Sequence, residues 1–204
     1  MNRRHMLKSS AISLGGVAGV IHAATPGQPE GPFHPVNIDH DLRRKSSNSP
    51  FATGQQIIVT GSVIDSKTGR GISQAMIEIW QADHQGKYNH PSDPLDLEPD
   101  PDFQFWGRAS SDLQGRYQFL SIKPGSYPAS PGWYRPPHIH IHVSRRGYHP
   151  LTTQMYFDGE SLNDSDRILA QLSPVDRKKL IVKFTERSNG LQAGQFNIEL
   201  DPVN

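Results

Sequence analysis

Most apolar positions of this chain fall in short β-branched or alternating runs, separated by clusters of glycine, proline and aspartate. Such runs predict strands over residues 56–64, 75–80, 115–122, 138–143, 151–157, 180–184 and 195–200. Proline and aspartate predict a loop over residues 89–103, and a short helix is expected near residues 166–172, with Asp164 or Ser165 as its N-cap. The pattern therefore predicts an all-β fold, a β-sandwich of seven to nine short, mostly antiparallel strands with long loops and one short helix.

The composition agrees with a loop-rich, strand-based chain. Eighteen glycines and seventeen prolines among 204 residues are about 17% of the chain, against roughly 12% in typical proteins. At roughly 150 residues per domain, this length indicates one domain plus a tail. We assign the domain to residues 25–204 and expect residues 25–51, which are polar and rich in proline, to form an extended arm over it.

Charge and cysteine content exclude several classes of function. The chain has 21 Lys and Arg against 20 Asp and Glu, a formal net charge of +1, and no basic stripe, which argues against a nucleic-acid partner. No run approaches the ~20 apolar residues that a membrane-spanning helix needs. Because the chain has no cysteine, disulfides, thiolate metal sites and cysteine nucleophiles are excluded. Any metal site must therefore use oxygen and nitrogen ligands.

Residues 1–24 have the order of an export signal. Arg3, Arg4 and Lys8 precede a weakly apolar run without Lys, Arg, Asp or Glu that ends in two alanines. The adjacent arginines favour the twin-arginine route, which exports folded proteins, and thus predict a periplasmic or exported protein. The alternative is a disordered tail on a cytoplasmic protein.

Three histidines alternate with apolar residues in the predicted strand 138–143. Because successive side chains of a strand point to opposite faces, His138, His140 and His142 share one face, and the intervening apolar side chains share the other. Neighbouring imidazoles on one face could begin a metal site. The alternative is a solvent-facing row of histidines on a sheet surface.

Three further residues near this strand could belong to the same site. Arg135 precedes His138 by three residues, and two intervening prolines stiffen the backbone between them. Tyr88 and Tyr127 each follow a turn that ends a predicted strand. Half-buried packing with a solvated hydroxyl is the alternative role for each tyrosine.

Five segments together resemble the intradiol ring-cleaving catechol dioxygenases, especially the protocatechuate 3,4-dioxygenase type with an iron-binding beta subunit. These segments are EGPF at 30–33, IWQADHQGKY at 79–88, IKPGSYP at 122–128, RPPHIH at 135–140 and TQMYFDG at 153–159. They occur in the family's order, and the resemblance extends from about residue 30 to the C-terminus.

The resemblance implies a mononuclear non-haem Fe(III) centre and an intradiol dioxygenase, which would cleave a catecholic aromatic with O2 to a cis,cis-muconate-type diacid. The implied metal ligands are Tyr88, Tyr127, His138 and His140. Tyr127 would also leave the metal and take a proton from the incoming diol. Arg135 would stabilise charge that develops on the ring, and Gln154 would form a hydrogen bond close to the metal ligands.

Two residues near the motifs depart from the family's pattern. The stretch between Tyr127 and Arg135 is shorter than in the best-matching relatives, and Tyr134 lies there as an alternative phenolate. His142 falls where the family places no ligand, so we expect it next to the metal ligands or facing solvent.

The sequence leaves open both the substrate and the alternatives to a dioxygenase. Protocatechuate is the favoured substrate, because the chain lacks the long helical N-terminal extension of the catechol 1,2-dioxygenases; Arg108, His90 and His149 are candidate contacts for its carboxylate. A homo-oligomer, or a hetero-oligomer with a related subunit, is expected from the resemblance. The alternatives are a Zn site of cupin-like type, which would need a third histidine or a carboxylate, and a non-catalytic transthyretin-like module.

Overall fold

The computed structural model describes residues 25–29 and 39–203 of the chain. The predicted export signal at 1–24, the segment at 30–33 and part of the predicted arm lie outside these residues. No helix among the described residues has the length and apolar character needed to cross a membrane.

The described residues form short strands and little helix. The strands are β1 (Gln56–Asp65), β2 (Met76–Trp80), β3 (Trp106–Ser110), β4 (Arg116–Ile122), β5 (Tyr127–Ser130), β6 (Trp133–Arg135), β7 (His138–Ser144), β8 (Leu151–Phe157), β9 (Ile181–Val182), β10 (Thr185–Glu186), β11 (Gln192–Gln195) and β12 (Ile198–Leu200). One α-helix, α1 (Pro174–Leu180), follows two 3-10 turns at Ser161–Asp164 and Leu169–Gln171. The predicted all-β sandwich is confirmed.

Two sheets pack face to face and a separate hairpin lies beside them. The first sheet has the order β10-β11-β1-β12, with β4 paired to β1, and the second has the order β3-β2-β7-β8-β9. Strands β5 and β6 form the hairpin. Most pairs are antiparallel, whereas β11 and β12 pair parallel to β1, and β9 pairs parallel to β8. The main apolar core lies between the sheets, where Val59 and Phe119 of the first face Ile79 and Ile141 of the second.

Strand β7 shows why the second sheet has two differently used faces. Ile139, Ile141 and Val143 are fully buried in the core between the sheets. His138 and His140 point to the opposite face, as the period of two requires, yet both are also buried. A second, smaller cluster covers that outer face, formed by buried Trp80, Ala82, Tyr88 and Trp106, with Tyr127 packed against it. The outer face of the second sheet is therefore an enclosed site.

The helix lies later in the chain than the sequence pattern predicted. Residues 166–172 contain only the 3-10 turn Leu169–Gln171, and the α-helix begins at Pro174. Ser173 caps it, since its hydroxyl accepts a hydrogen bond from the Asp176 N–H at 3.1 Å. Proline at the first helical position, next to a serine cap, is a strong start signal. Proline also disfavours helical backbone in the preceding residue, so the earlier segment cannot continue into α1.

Candidate active site

The six residues singled out from the sequence converge on the outer face of the second sheet. Tyr88 lies in the loop after β2, Tyr127 begins β5, Arg135 ends β6, His138 and His140 lie on β7, and Gln154 lies on β8. All but His138 line one cavity of about 370 Å³. The apolar residues of its wall are Pro29, Pro94, Leu95, Pro128, Ala129, Trp133 and Ile168. A partly apolar cavity with a few converging polar groups is typical of a small-molecule site.

Strand register places two of these side chains side by side. His140 is paired with Trp80 of β2 on one side and with Gln154 of β8 on the other. The Trp80 indole stacks on the His140 imidazole, with ring centroids 5.0 Å apart and planes 7° from parallel. Because the indole fills the space beside the imidazole, the His140 ring is held in one orientation.

Two tyrosine rings and two histidine rings form a closed cluster. Ring centroids are 5.5 Å apart for Tyr88 and Tyr127, 5.6 Å for Tyr127 and His138, 4.9 Å for His138 and His140, and 6.4 Å for His140 and Tyr88. Each ring therefore contacts two others around a common centre. Sequence spacing could not show this convergence, because the two tyrosines are 39 residues apart, Tyr88 in a loop and Tyr127 at the start of β5.

The His138 ring has the hydrogen bonding of a metal ligand. Its Nδ1 lies 2.7 Å from the carbonyl oxygen of Pro136, so Nδ1 is the nitrogen that donates a proton. Its Nε2 is buried and has no hydrogen-bond partner within the described residues. A buried polar atom without a partner is costly. A backbone carbonyl that fixes the tautomer, with a free lone pair on the other nitrogen, is the usual arrangement of a ligating histidine.

Burial sets the protonation of the cluster. It raises the pKa of Tyr88 well above its usual value, and Tyr127 adds to this shift. It also raises the pKa of Tyr127, although Arg135 opposes the shift. It lowers the pKa of His138 well below its usual value and that of His140 to about 3, with Arg135 contributing to both shifts. The imidazoles are therefore neutral and keep their lone pairs.

The donor set fits a hard, highly charged cation. The four clustered rings carry two phenol oxygens and two pairs of imidazole nitrogens. A bound cation would favour the deprotonated form of an oxygen ligand beside it. No group of three or more His, Asp or Glu side chains suited to a metal occurs in residues 25–29 and 39–203. Within these two ranges, the two histidines are accompanied by tyrosines and not by the third histidine or carboxylate that a cupin-like zinc site would need.

Arg135 is held by a buried hydrogen-bond network at the edge of the cavity. Its Nη2 donates to Oε1 of Gln154 at 2.6 Å and to the Tyr156 hydroxyl at 3.1 Å, and its Nε donates to Oδ2 of Asp166 at 2.7 Å. Gln154 in turn donates from Nε2 to the carbonyl of Pro29 at 2.8 Å. The N-terminal segment thus borders the same network.

Sequence reasoning did not find Asp166 or Tyr156. The sequence did contain an indication for Tyr156. It lies two residues after Gln154, so the two side chains share one face of the predicted strand. Asp166 was predicted only as the first residue of a short helix, whereas the structure shows it in a long-range ion pair with Arg135.

A pair of glycines holds the two tyrosine loops together. The N–H groups of Gly86 and Gly125 both donate to the carbonyl of Asp83, at 3.1 and 2.8 Å. A Cβ on Gly86 would lie 2.3 Å from the carbonyl oxygen of Ser126 and 3.1 Å from Cβ of Tyr127. Gly86 also has φ +87°, which favours glycine. The loops therefore approach backbone to backbone, and this contact sets the separation of the tyrosines.

We expect Gly86→Ala to destabilise the protein by about 1–3 kcal/mol more than a matched glycine substitution, because overpacking against backbone adds to the cost of positive φ. The matched control is Gly147→Ala, since Gly147 has φ +90° and nothing within 4 Å of an added Cβ. Denaturant unfolding measures both. Equal losses in the two variants would contradict the tight contact between the loops.

The structure separates Tyr134 and His142 from the cluster. Tyr134 is 54% exposed, so the alternative phenolate lies outside the enclosed site. His142 is half-buried one row further along β7, where its Nδ1 lies 2.9 Å from the Thr152 hydroxyl.

The three candidate carboxylate contacts lie away from the cavity wall. Arg108 forms an ion pair with Glu78 on the neighbouring strand, with Nη2 and Oε1 2.5 Å apart. Neither Arg108 nor His90 nor His149 is among the described residues that line the cavity. Arg135 is the one arginine or lysine among those lining residues.

Comparison with known proteins identifies the family to which this geometry belongs. The family model described as "Dioxygenase" matches residues 30–202. The chain is 38% identical over 151 residues to the protocatechuate 3,4-dioxygenase beta chain of Burkholderia cepacia, a match that covers 72% of this chain and 64% of that protein. The chain belongs to the intradiol dioxygenase family.

Two further relatives of this intradiol dioxygenase family member match over most of their own length. The protocatechuate 3,4-dioxygenase alpha chain of Pseudomonas putida is 29% identical over 190 residues, which are 86% of this chain and 90% of that one. The solved dioxygenase domain of a dioxygenase–carbohydrate-binding protein fusion from the cellulolytic bacterium Streptomyces sp. SirexAA-E is 27% identical, with a TM-score of 0.67 over 89% of this chain and 100% of that one. By contrast, the chain spans only about half to two thirds of the first curated relatives it matches.

Proposed function

We propose that this protein catalyses Fe(III)-dependent intradiol cleavage of a catecholic aromatic by O2, giving a cis,cis-muconate-type diacid. One observation carries the proposal: Tyr88, Tyr127, His138 and His140 close around a common centre beside a cavity large enough for a small aromatic ring. The match to the intradiol dioxygenase family supports the same reaction.

The four clustered residues would hold the iron. Two tyrosinates offset two of the three charges of Fe(III), and the neutral imidazoles of His138 and His140 complete a donor set of hard oxygen and nitrogen atoms. The unpartnered Nε2 of His138 supports its part in this set. When bound, the iron would act as a Lewis acid that activates the diol for attack by O2.

Tyr127 would also accept a proton from the incoming diol. Tyr127 is half-buried and borders the cavity, whereas Tyr88 is only 3% exposed, so Tyr127 is the freer of the two rings. A phenolate that takes a diol proton at its own oxygen becomes neutral as the diol becomes anionic. The exchange keeps the net charge of the site constant, which avoids burying an uncompensated charge.

Arg135 and Gln154 would stabilise the substrate ring as its charge changes. Arg135 is a fixed cation on the cavity wall, and a preorganised charge of this kind lowers the barrier without reorganising during the reaction. Gln154 accepts from Arg135 through Oε1 and donates to Pro29 through Nε2. Its amide would therefore orient the guanidinium and hold the wall of the cavity.

Protocatechuate is the first substrate we propose, with catechol as the alternative. Two relatives carry the name of protocatechuate 3,4-dioxygenase chains. On the described part of the cavity wall, the carboxylate of protocatechuate would find Arg135 as its arginine or lysine contact. A substrate panel must therefore contain both carboxylated and uncharged diols.

We also propose that the protein is an oligomer, either of identical chains or with a related chain, because two relatives are named as the beta and alpha chains of one type of enzyme. Export by the twin-arginine route remains our proposal for residues 1–24. Mass measurement of the purified protein and fractionation of expressing cells test the two points.

Oxygen uptake by iron-loaded protein tests the reaction. Turnover of at least one diol is expected, with a diacid product that contains both atoms of 18O2 and a resting protein coloured by tyrosinate-to-iron charge transfer. Protein without iron is the control. A colourless protein that binds iron and consumes no O2 with any diol of the panel would contradict the proposal and favour a non-catalytic module.

A further inference from the structure

Asp166 is a fully buried carboxylate that does not belong to the predicted site. Its Oδ2 accepts the hydrogen bond from Nε of Arg135 at 2.7 Å, and the side chains are 0% and 4% exposed. A buried ion pair is maintained only where its geometry and further hydrogen bonds compensate for lost hydration.

The second oxygen of Asp166 is also occupied. Its Oδ1 accepts hydrogen bonds from the backbone N–H groups of Ile168 and Leu169, at 3.1 and 2.7 Å. The 3-10 turn Leu169–Gln171 begins at the same point. The carboxylate is therefore fixed by backbone on one side and holds Arg135 on the other, so it cannot rotate without losing three hydrogen bonds.

The opposite side of the guanidinium is fixed as well. Nη2 of Arg135 donates to Gln154 and Tyr156 on β8, while Nε donates to Asp166. Strand β8 and the turn that begins beside Asp166 thus both hold the planar guanidinium of Arg135. Because arginine presents its donors in a rigid fork, two occupied nitrogens fix the plane and direction of the whole group.

We propose that Asp166 is a positioning residue, which fixes the guanidinium of Arg135 at the cavity wall. This inference rests on the proposed function, in which Arg135 stabilises charge on the substrate ring. Asp166 itself is not among the residues that line the cavity, so it acts on the reaction through the lining residues that it holds. These are Arg135, which we propose as the main route, and Ile168 of the turn. A misplacement of about 1 Å in such a group is enough to lower a rate about 100-fold.

A purely structural role makes a different prediction. If Asp166 only stabilised the turn, its replacement would lower activity by the same factor whether or not Arg135 were present. If it positions Arg135, the loss must disappear once Arg135 is removed, because residues that act through one another are not additive.

The test is a double-mutant cycle with Asp166→Asn and Arg135→Ala in iron-loaded protein. We expect Asp166→Asn to lower kcat about 10- to 100-fold, while KM, iron content and the visible band stay near wild type. In the Arg135→Ala background, Asp166→Asn should change kcat less than about twofold. Asp164→Asn is the control, because this carboxylate lies two residues away and its side chain is 95% exposed; it should leave all four quantities unchanged.

A stability measurement on metal-free protein tests the pairing without activity. Arg135→Ala leaves the buried carboxylate of Asp166 unpaired, so the thermal midpoint of this variant should fall. Adding Asp166→Asn should recover part of the loss, because the amide carries no charge. If Asp166→Asn folds poorly, Asp166→Glu keeps the charge and should retain more of kcat than Asp166→Asn at equal iron content.

Several results would overturn the inference. Full kcat in Asp166→Asn, an equal loss of kcat in both Arg135 backgrounds, or a lower kcat in Asp166→Glu than in Asp166→Asn would each exclude positioning. If the proposed function itself were wrong, the experiment would give a different result, because the iron-loaded wild type would then consume no O2 with any diol. That outcome would exclude the positioning role together with the reaction.

Discussion

Tyr88→Phe protein is expected to lose its iron and its visible colour. The substitution removes one phenolate from the donor set that we propose and leaves the ring, so packing against Tyr127 and His140 is preserved. Loss of an outer partner of a metal ligand already lowers metal affinity about 10- to 100-fold, so loss of a ligand should cost at least about 100-fold. Metal analysis and the absorption spectrum of the purified protein measure the effect.

Tyr134→Phe is the matched control for this prediction. It makes the same chemical change in a tyrosine that is 54% exposed and lies outside the cluster, so iron and colour should remain at wild-type levels. If Tyr88→Phe retained both full iron and full colour, the assignment of Tyr88 as a ligand would be wrong. If Tyr134→Phe lost them, the alternative phenolate would have to be reconsidered.

His138→Ala belongs to the same prediction and has its own control. The substitution removes the imidazole whose Nε2 is buried without a partner in the described residues, so iron should be lost as in Tyr88→Phe. His142→Ala removes the next histidine on the same face of β7, which contacts Thr152 outside the cluster. Iron loss confined to His138→Ala would show that the two positions differ in role, as the structure indicates.

The sequence could predict the sheet and one half of the site because both depend on local patterns. A period of two along β7 requires that Ile139 and Ile141 face one side and that His138 and His140 face the other, and the structure has this arrangement. Alternation likewise predicted strand β4, and a run of β-branched residues predicted β1. Strands β5, which contains Pro128, and β6, which is three residues long, form a two-stranded sheet and carry no such periodic signal.

The rest of the site depends on contacts between distant parts of the chain. Tyr88 and Tyr127 meet because Gly86 and Gly125 let two loops approach backbone to backbone, a fact that neither loop encodes alone. Only the family resemblance joined the tyrosines to the histidines. Asp166 was predicted only as the first residue of a short helix, and its pairing with Arg135 was not predictable from local spacing.

Arg135→Ala is expected to lower kcat about 100- to 1000-fold, the usual effect of removing one preorganised charge donor, and to leave iron binding intact. The reason is that Arg135 lines the cavity and its guanidinium is held by Gln154, Tyr156 and Asp166, while the proposed ligands are the four clustered tyrosine and histidine side chains. The measurement combines steady-state O2 uptake with metal analysis. Because the substitution leaves Asp166 buried without its partner, at a cost of about 3–5 kcal/mol, kinetics should be recorded well below the thermal midpoint.

Arg167→Ala supplies the matched control for this expected loss of turnover. Both arginines lie over the Trp133 ring, Arg135 at 5.8 Å and Arg167 at 5.2 Å from its centroid, but Arg167 is exposed and does not line the cavity. Removal of Arg167 should therefore leave kcat within about twofold, since surface substitutions of this kind have small effects. Unchanged turnover in Arg135→Ala would remove its role in the reaction. Loss of iron in Arg135→Ala would instead show that the guanidinium supports the metal site, because a charge that acts only on the substrate ring has no effect on the resting protein.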